Sequence, residues 1–405
     1  MQQLLSARPH LVGISSAAHC LGLKQGQLLH AGPPLINSRQ PPLPMRSSIV
    51  MTCIYEGWAR TEAQAEALLD DGKLELLPAQ NHRCVTPLVA VVSPSMPMFE
   101  IHDPALELAS IYSPVSAVRG IDTRMGSREP GLFERLKYRD SQLVPAVTAL
   151  ITGSGPIALW PLAITGLNAG DDLHSRTNGA NEAFVQLLSE RALVRSINSS
   201  NPDLPIQEAL EQEALQAIRA TPLFFLTLWM AASAFILRAA ELSDLAGIIT
   251  RAGGNGENFG ICLSGQPEKW ITCKAVAPMG PLLPHLNSSA NTLEILGAAG
   301  DSSVIDMLGL GAQRLAQSPE PLQVFTPYLP NDFIGLAERL LQAPQPLLPS
   351  SWPLGLNAER IATLGQTPLI MLAMLAANGT TGFAGRGIYR PPLDLFTTAC
   401  AEISK

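Results

Sequence analysis

Residues Ile164–Asn181, ITGLNAGDDLHSRTNGAN, gather Asp171, Asp172, His174, Arg176 and Asn178 into one stretch of a chain that elsewhere avoids charge. Gly170 followed by Asp171 predicts a loop running into a helix, with Asp171 as the N-cap whose carboxylate accepts from the first free backbone N–H groups. At helical spacing Asp171, His174, Asn178 and Asn181 share one face, and Leu173, Thr177, Ala180, Phe184 and Leu187 form the neighbouring apolar stripe. Two readings follow from the residue types. One is a capped helix with a solvated His–Arg turn behind it; the other is an acid–imidazole–guanidinium site, and structural networks also gather charges. Neither names a substrate.

Outward from this stretch the pattern is helical. Leu132–Tyr138, Gln142–Thr152, the helix running on to Arg195, then Ile206–Ala220 and 222–240 give a predominantly helical section over 131–245, with a turn-rich break at 196–205. Ala220–Leu237 is uncharged for 18 residues, at the lower edge of a membrane span. Pro222 suits a first helical turn and charged residues flank the run closely, so a buried central helix is expected.

The flanks mix strands and helices. SSIVMTCIYEGW at 47–58 predicts a buried strand ending at Glu56, followed by a helix from Thr61 to Asp70. Leu74–Ala79 and Val85–Val92 predict further strands, the second central, and the prolines of SPSMPM leave Ser93 and Ser95 on an irregular loop at its end. RAGGNGENFG at 251–260 predicts a glycine-rich loop before a strand, matching neither GxxxxGK[ST] nor GxGxxG. Its glycines permit close backbone approach, so the N–H groups around Gly254, Asn255 and Gly256 are candidates for holding an oxyanion, with Arg251 as a matching fork; a ligand-free turn is the alternative. Asp301 and Ser302 in GDSS predict another helix entrance. The fold class is therefore α+β and multi-domain, divided at 1–130, 131–245 and 246–405.

The 405 residues are 46% hydrophobic and only 15% charged, against about 25% charged in a typical soluble domain, so neutral groups or other chains cover much of the surface. This suits a subunit of an oligomer. With 27 Lys and Arg against 34 Asp and Glu, a net charge of −7 and no basic run, nucleic acid is an unfavourable partner. Six cysteines without a CxxC pair disfavour a zinc ribbon, and the first residues lack a signal-peptide pattern, which predicts a cytoplasmic chain with reduced thiols and no membrane span.

LLHAGPP, YEGWARTEAQA, SPSMPM, GDDLHSR with Asn178, ITRAGGNGENFGI, GDSSVIDMLGLG and TPLI with the closing glycine-rich turn together resemble the large subunit of bacterial oxamate carbamoyltransferase, over nearly the whole chain. That resemblance implies a multi-domain α+β subunit with a helical insert, and a cytoplasmic activity involving oxamate, carbamoyl phosphate and the corresponding ureide. It also implies companion subunits, one of them similar to succinyl-CoA synthetase. LAANGTTGFAGRG and PHLNSSANTLEILGAAG depart from the family's form, which points to a divergent paralogue with an acceptor of its own.

The expected function is carbamoyl transfer between carbamoyl phosphate and a small amide or amine acceptor in ureide catabolism, as part of a multi-subunit complex, with no metal and no cofactor. His174, oriented by Asp171 or Asp172, is assigned proton transfer; Arg176, Asn178, Arg251, the 253–256 loop, Glu56, Ser93, Ser95, Asp301 and Ser302 are assigned to substrate and anion binding. The alternatives are a scaffold or regulatory subunit whose companion carries the active site, and a ureide amidohydrolase.

Overall fold

Phe224–Arg238 is the helix on which the rest of the molecule packs. Its sequence offers no polar face, and a helix that is apolar all round belongs in a core. Trp229 meets Trp160 at 5.2 Å between ring centroids and stacks on Phe225, while Phe224 meets Phe99 edge-on at 5.9 Å. Such pairs contribute about 0.5–1.5 kcal/mol each beyond their buried area. Among the described residues one helix, Phe224–Leu242, is long and apolar enough to cross a membrane, and 78% of that window is buried inside the fold. The buried central helix predicted from sequence is the outcome.

The computed structural model describes residues 1–120, 122–129, 131–198, 204–243, 246–286 and 293–403. Residues 199–203 of the turn-rich break expected at 196–205, and part of the divergent stretch at 284–300, lie outside the described residues. The architecture is α+β, as the sequence predicts. Helices Leu159–Asn168 and Asn178–Asn198 pack on the central helix, and Val144–Thr152 and Leu204–Arg219 pack on each other and on Asn178–Asn198. Two antiparallel four-stranded sheets flank them. One runs in the order Ile111–Pro114, Pro97–His102, His10–Ser16, Ile157–Ala158; the other runs Gln266–Lys274, Asn258–Leu263, Ile249–Asn255, Ala299–Gly300. A three-stranded sheet holds Gln27–His30 between a parallel neighbour, Glu75–Pro78, and an antiparallel one, Val91–Val92. The largest buried cluster draws on residues from Leu4 to Ala399, so all three sequence stretches contribute to one core.

Four local expectations are corrected. SSIVMTCIYEGW is not a strand: Leu43–Tyr55 is a helix, with Pro44 in its first turn. Its β-branched residues misled because Met45 and the run Ser47–Cys53 are buried around the whole helix, and a helix without a polar face shows no 3.6-residue period. Of Val85–Val92 only Val91 and Val92 are strand. Pro87 cannot join a ladder, and Thr86 instead exchanges hydrogen bonds with Asp301, its N–H donating to Oδ2 at 3.0 Å and its carbonyl accepting from the Asp301 N–H. RAGGNGENFG is a hairpin rather than a loop, Ile249–Asn255 turning into Asn258–Leu263. The helix expected to begin at Asp171 begins at Asn178.

Candidate active site

The three sequence stretches meet around a partly open cavity of about 130 Å³. Pro87, Leu88, Arg124 and Met125 line it from the first stretch, and His174, Ser175, Leu223 and Leu226 from the second. Ser302, Phe325, the strand residues Met371–Ala373, Phe383 and Arg386 complete it from the third. The volume holds several waters or one ligand of a few heavy atoms.

His174 reaches the cavity from the loop between Asn168 and Asn178, which the loop's own carboxylates shape. Asp172 Oδ1 accepts from the backbone N–H of His174 (2.7 Å) and of Arg176 (3.0 Å), and Oδ2 accepts from the Ser175 hydroxyl at 2.6 Å. Asp171 Oδ2 accepts from the Ala180 N–H at 2.9 Å, so this residue does cap the helix beginning at Asn178, from across the loop. Burial raises the Asp171 pKa to about 6, against the opposing Ala180 N–H and the Arg176 guanidinium 3.4 Å from Oδ1. Between Asp172 and His174, Leu173 takes φ +67°, the left-handed region that costs a side-chain-bearing residue about 1 kcal/mol, with its side chain fully buried. This kink turns His174 away from Asp171 and Asp172 and toward the third stretch.

The partner of the imidazole is Asp306. Its Oδ2 lies 2.8 Å from His174 Nδ1, while Oδ1 accepts from the N–H groups of Ala312 (2.8 Å) and Met371 (3.2 Å). When ionised, Asp306 only accepts, and Nδ1 then carries the proton that faces it, leaving Nε2 as the ring nitrogen free of this contact. Burial raises the Asp306 pKa and the His174 partner opposes that rise. The fit is close: at Gly311, whose φ is +56°, a Cβ would lie 2.5 Å from Asp306 Oδ1 and 3.0 Å from His174 Cβ. Asp306 sits in the helix Ser303–Leu308, placed by Ser303 donating to the Ala252 carbonyl and ended by Gly309 at φ +112°.

Two arginines complete the polar lining. Arg124 donates through Nη1 to Ser116 and has Nε 3.2 Å from Asp122 Oδ1. Arg386 donates through Nη1 to the Ser175 carbonyl (3.1 Å) and through Nη2 to Glu320 (3.0 Å). A guanidinium has five N–H donors, so both retain hydrogen-bonding capacity beyond these contacts.

Of the candidates read from sequence, the cavity takes in His174 and Ser302. Asp171, Asp172 and Arg176 build the loop behind it, and Asn178 is exposed at the start of the following helix. Arg251 lies elsewhere, 1% exposed, donating to Asn81 and to Glu268, whose pKa it lowers. The Gly254–Gly256 turn is self-satisfied: Asn255 Oδ1 accepts from the N–H groups of Glu257 and Asn258, and the Gly256 N–H donates to Ala298. Its glycines serve packing, since a Cβ on Gly254 would lie 2.1 Å from the Ala298 oxygen. Asp301 binds the Gly32 and Thr86 N–H groups and the Gln80 amide. Glu56 accepts from Ser95 at the surface, and Ser93 is buried. Sequence reasoning missed Asp306, Arg124 and Arg386; the available signal for Asp306 was one carboxylate inside the apolar run VIDMLGLG.

The family model described as oxamate carbamoyltransferase subunit AllG matches residues 74–302. Oxamate carbamoyltransferase subunit AllG of Escherichia coli (strain K12) is 26% identical over 426 aligned residues, which cover 100% of this chain and 96% of that protein. The uncharacterized protein YahG of the same organism is 23% identical, covering 98% of this chain and 83% of its own length. A crystal structure of a conserved protein of unknown function from Enterococcus faecalis V583 has the same fold, with a TM-score of 0.87 at 21% identity over 100% of this chain and 95% of that one.

Proposed function

The chain belongs to the family of oxamate carbamoyltransferase subunit AllG, and from that membership we propose that it catalyses carbamoyl transfer between carbamoyl phosphate and a small amide acceptor. The observation that carries this reading is the His174–Asp306 pair on a cavity that Arg124 and Arg386 also line.

In the proposed reaction the acceptor nitrogen attacks the carbamoyl carbon of carbamoyl phosphate. A C–N bond forms, the C–O bond to phosphate breaks, inorganic phosphate leaves, and the nitrogen's proton passes to His174 Nε2. Asp306 holds the imidazole in the accepting tautomer and stabilises it once it is charged, which contributes roughly 10²–10⁴-fold in general-base chemistry. Arg124 and Arg386 meet the negative charge of the donor and of the oxyanion that develops on the carbamoyl oxygen. We place the chain in the cytoplasm, as a homo-oligomer beside a synthetase-like companion subunit.

The test is His174→Ala, with folding checked by circular dichroism and thermal melting. Carbamoylated product is measured for the chain alone and in complex with its companion. Loss of transfer by at least 10²-fold in a folded variant is expected. Unchanged turnover would remove His174 from the mechanism and favour a scaffold whose companion carries the chemistry.

A further inference from the structure

A second, more open cavity of about 300 Å³ shares no lining residue with the first. That volume stands at the lower end of small-molecule pockets, which run from about 300 to 1,000 Å³. Trp160, Pro161 and Ile164 wall it from the helix Leu159–Asn168, Leu347 from the third stretch of the chain, and Arg8 and His10 from the first.

Arg8 brings the one fixed charge to this wall, and its head is held in place. Nη1 donates to the Leu5 and Ala7 carbonyls at 2.8 and 3.0 Å, and the Trp160 indole N–H donates to the same Ala7 oxygen at 3.0 Å. Sharing that oxygen sets the guanidinium beside the indole that walls the cavity. These contacts occupy Nη1 and leave the Nε–H and both N–H groups of Nη2 without an acceptor among the described residues. The Nε–Nη2 edge is a fork that fits a carboxylate through two parallel hydrogen bonds. No acid of the chain takes it. Asp103 Oδ2 accepts from the Arg8 backbone N–H at 2.6 Å, and its Oδ1 from the Ala105 N–H at 3.0 Å. Nor does closing the end of the helix Gln2–Ser6 call for an arginine, since the Leu5 oxygen also accepts from the Gln345 amide and the Ala7 oxygen from Trp160.

We propose that this cavity binds a monocarboxylate with a small aliphatic or aromatic body, the carboxylate on the free edge of Arg8 and the body against Trp160, Pro161, Ile164 and Leu347. One guanidinium matches one negative charge, and a dianion such as inorganic phosphate would leave a charge unpaired beside apolar walls. The site stands apart from the carbamoyl-transfer reading and does not depend on it.

Calorimetry on the full chain at low salt compares hexanoate and benzoate with their amides, which lack the charge, with acetate, which lacks the body, and with inorganic phosphate. At least one of the two acids should saturate a single site and bind about tenfold more tightly than its amide, acetate or phosphate. Arg8→Met keeps the stem and should weaken that acid by about tenfold, the two carbonyls retaining their other donors. Leu347 is 38% exposed, so Leu347→Glu should fold; it sets a like charge at the rim and should also weaken binding, whereas Leu347→Met should not. His174→Ala should leave the affinity unchanged. Acid and amide bound equally, no saturable binding of either acid, or a loss of binding in His174→Ala but not in the wall variants overturns the proposal. If Arg8→Met does not fold, Leu347→Glu decides, and unchanged affinity there overturns it.

Discussion

Asp301 and Asp306 stand on either side of the start of one short helix, Ser303–Leu308, both with no exposed surface, and the molecule uses them in opposite ways. Asp301 accepts from the Gly32 and Thr86 N–H groups and from the Gln80 amide, all neutral donors from the first stretch of the chain. It ties the HAGPP loop and the segment before the central cavity wall to the hairpin at Gly253, where a Cβ would lie 2.5 Å from its Oδ1. Asp306 accepts from two backbone N–H groups and from an imidazole that faces a cavity. Burial raises both carboxyl pKa values. Depth therefore does not distinguish the two carboxylates; the nature and outlook of the third donor does.

The largest effect that would sharpen this contrast is on turnover. In Asp306→Asn the N–H groups of Ala312 and Met371 keep the amide oxygen at the Oδ1 position, which leaves the NH₂ facing His174 Nδ1. The ring then accepts there and carries its proton on Nε2, the wrong tautomer for a base. A fall in kcat of roughly 10³–10⁴-fold is expected, with the fold retained, measured as product formed by a variant whose melt is cooperative. Retained activity would make Asp306 a second Asp301.

The next effect is on stability. Asp301 has its pKa raised from 3.8 to about 7, chiefly by burial. Folding thus favours the protonated acid: its contribution is complete below pH 3.8 and is lost as pH rises to about 7. At 1.36 kcal/mol per unit this is about 4 kcal/mol. Urea unfolding of wild type and Asp301→Asn from pH 4 to 8 should show the wild type losing stability relative to the variant as pH rises through that window, since the variant lacks this titration. Asp171, raised to about 6 by burial, acts with the same sign in both proteins and cancels in the comparison. Parallel curves would show that Asp301 carries no such strain.

Much of the fold was legible because it is locally encoded. The uncharged run at 220–237 states a core helix, and Thr61 accepting from the Gln64 N–H caps the helix Glu62–Asp70 that the sequence predicts. The site was half legible. Charge crowding at 171–176 marked the loop that carries His174, but the assigned orienting acids were its sequence neighbours, and the actual one is 132 residues away. Spacing along a chain reports faces of helices and strands; it holds no record of a loop that turns a ring toward another segment through one residue at positive φ. Arg124 and Arg386 escaped for the same reason, since each comes to line the cavity only where three distant stretches close around one volume. Arg251 and the 253–256 glycines misled because close backbone packing and anion binding both call for glycine.

The smallest effect tests whether a third region belongs to the chemistry. Glu56 ends the helix Leu43–Tyr55 and its Oε1 accepts from the N–H and the hydroxyl of Ser95, at 2.9 and 2.7 Å, where Ser95 is exposed. Water competes for both donors, so an exposed contact of this kind is worth less than about 1 kcal/mol. Gln at position 56 keeps the accepting oxygen and removes only the charge. Neither residue lines the cavity of His174. Glu56→Gln should therefore leave kcat/KM within about twofold and stability within about 0.5 kcal/mol of wild type, by steady-state assay and urea titration. A loss of tenfold or more in a folded variant would bring the surface at Ser95 into the reaction, and the division between a supporting and a reacting carboxylate would then have to accommodate a third kind, exposed and functional.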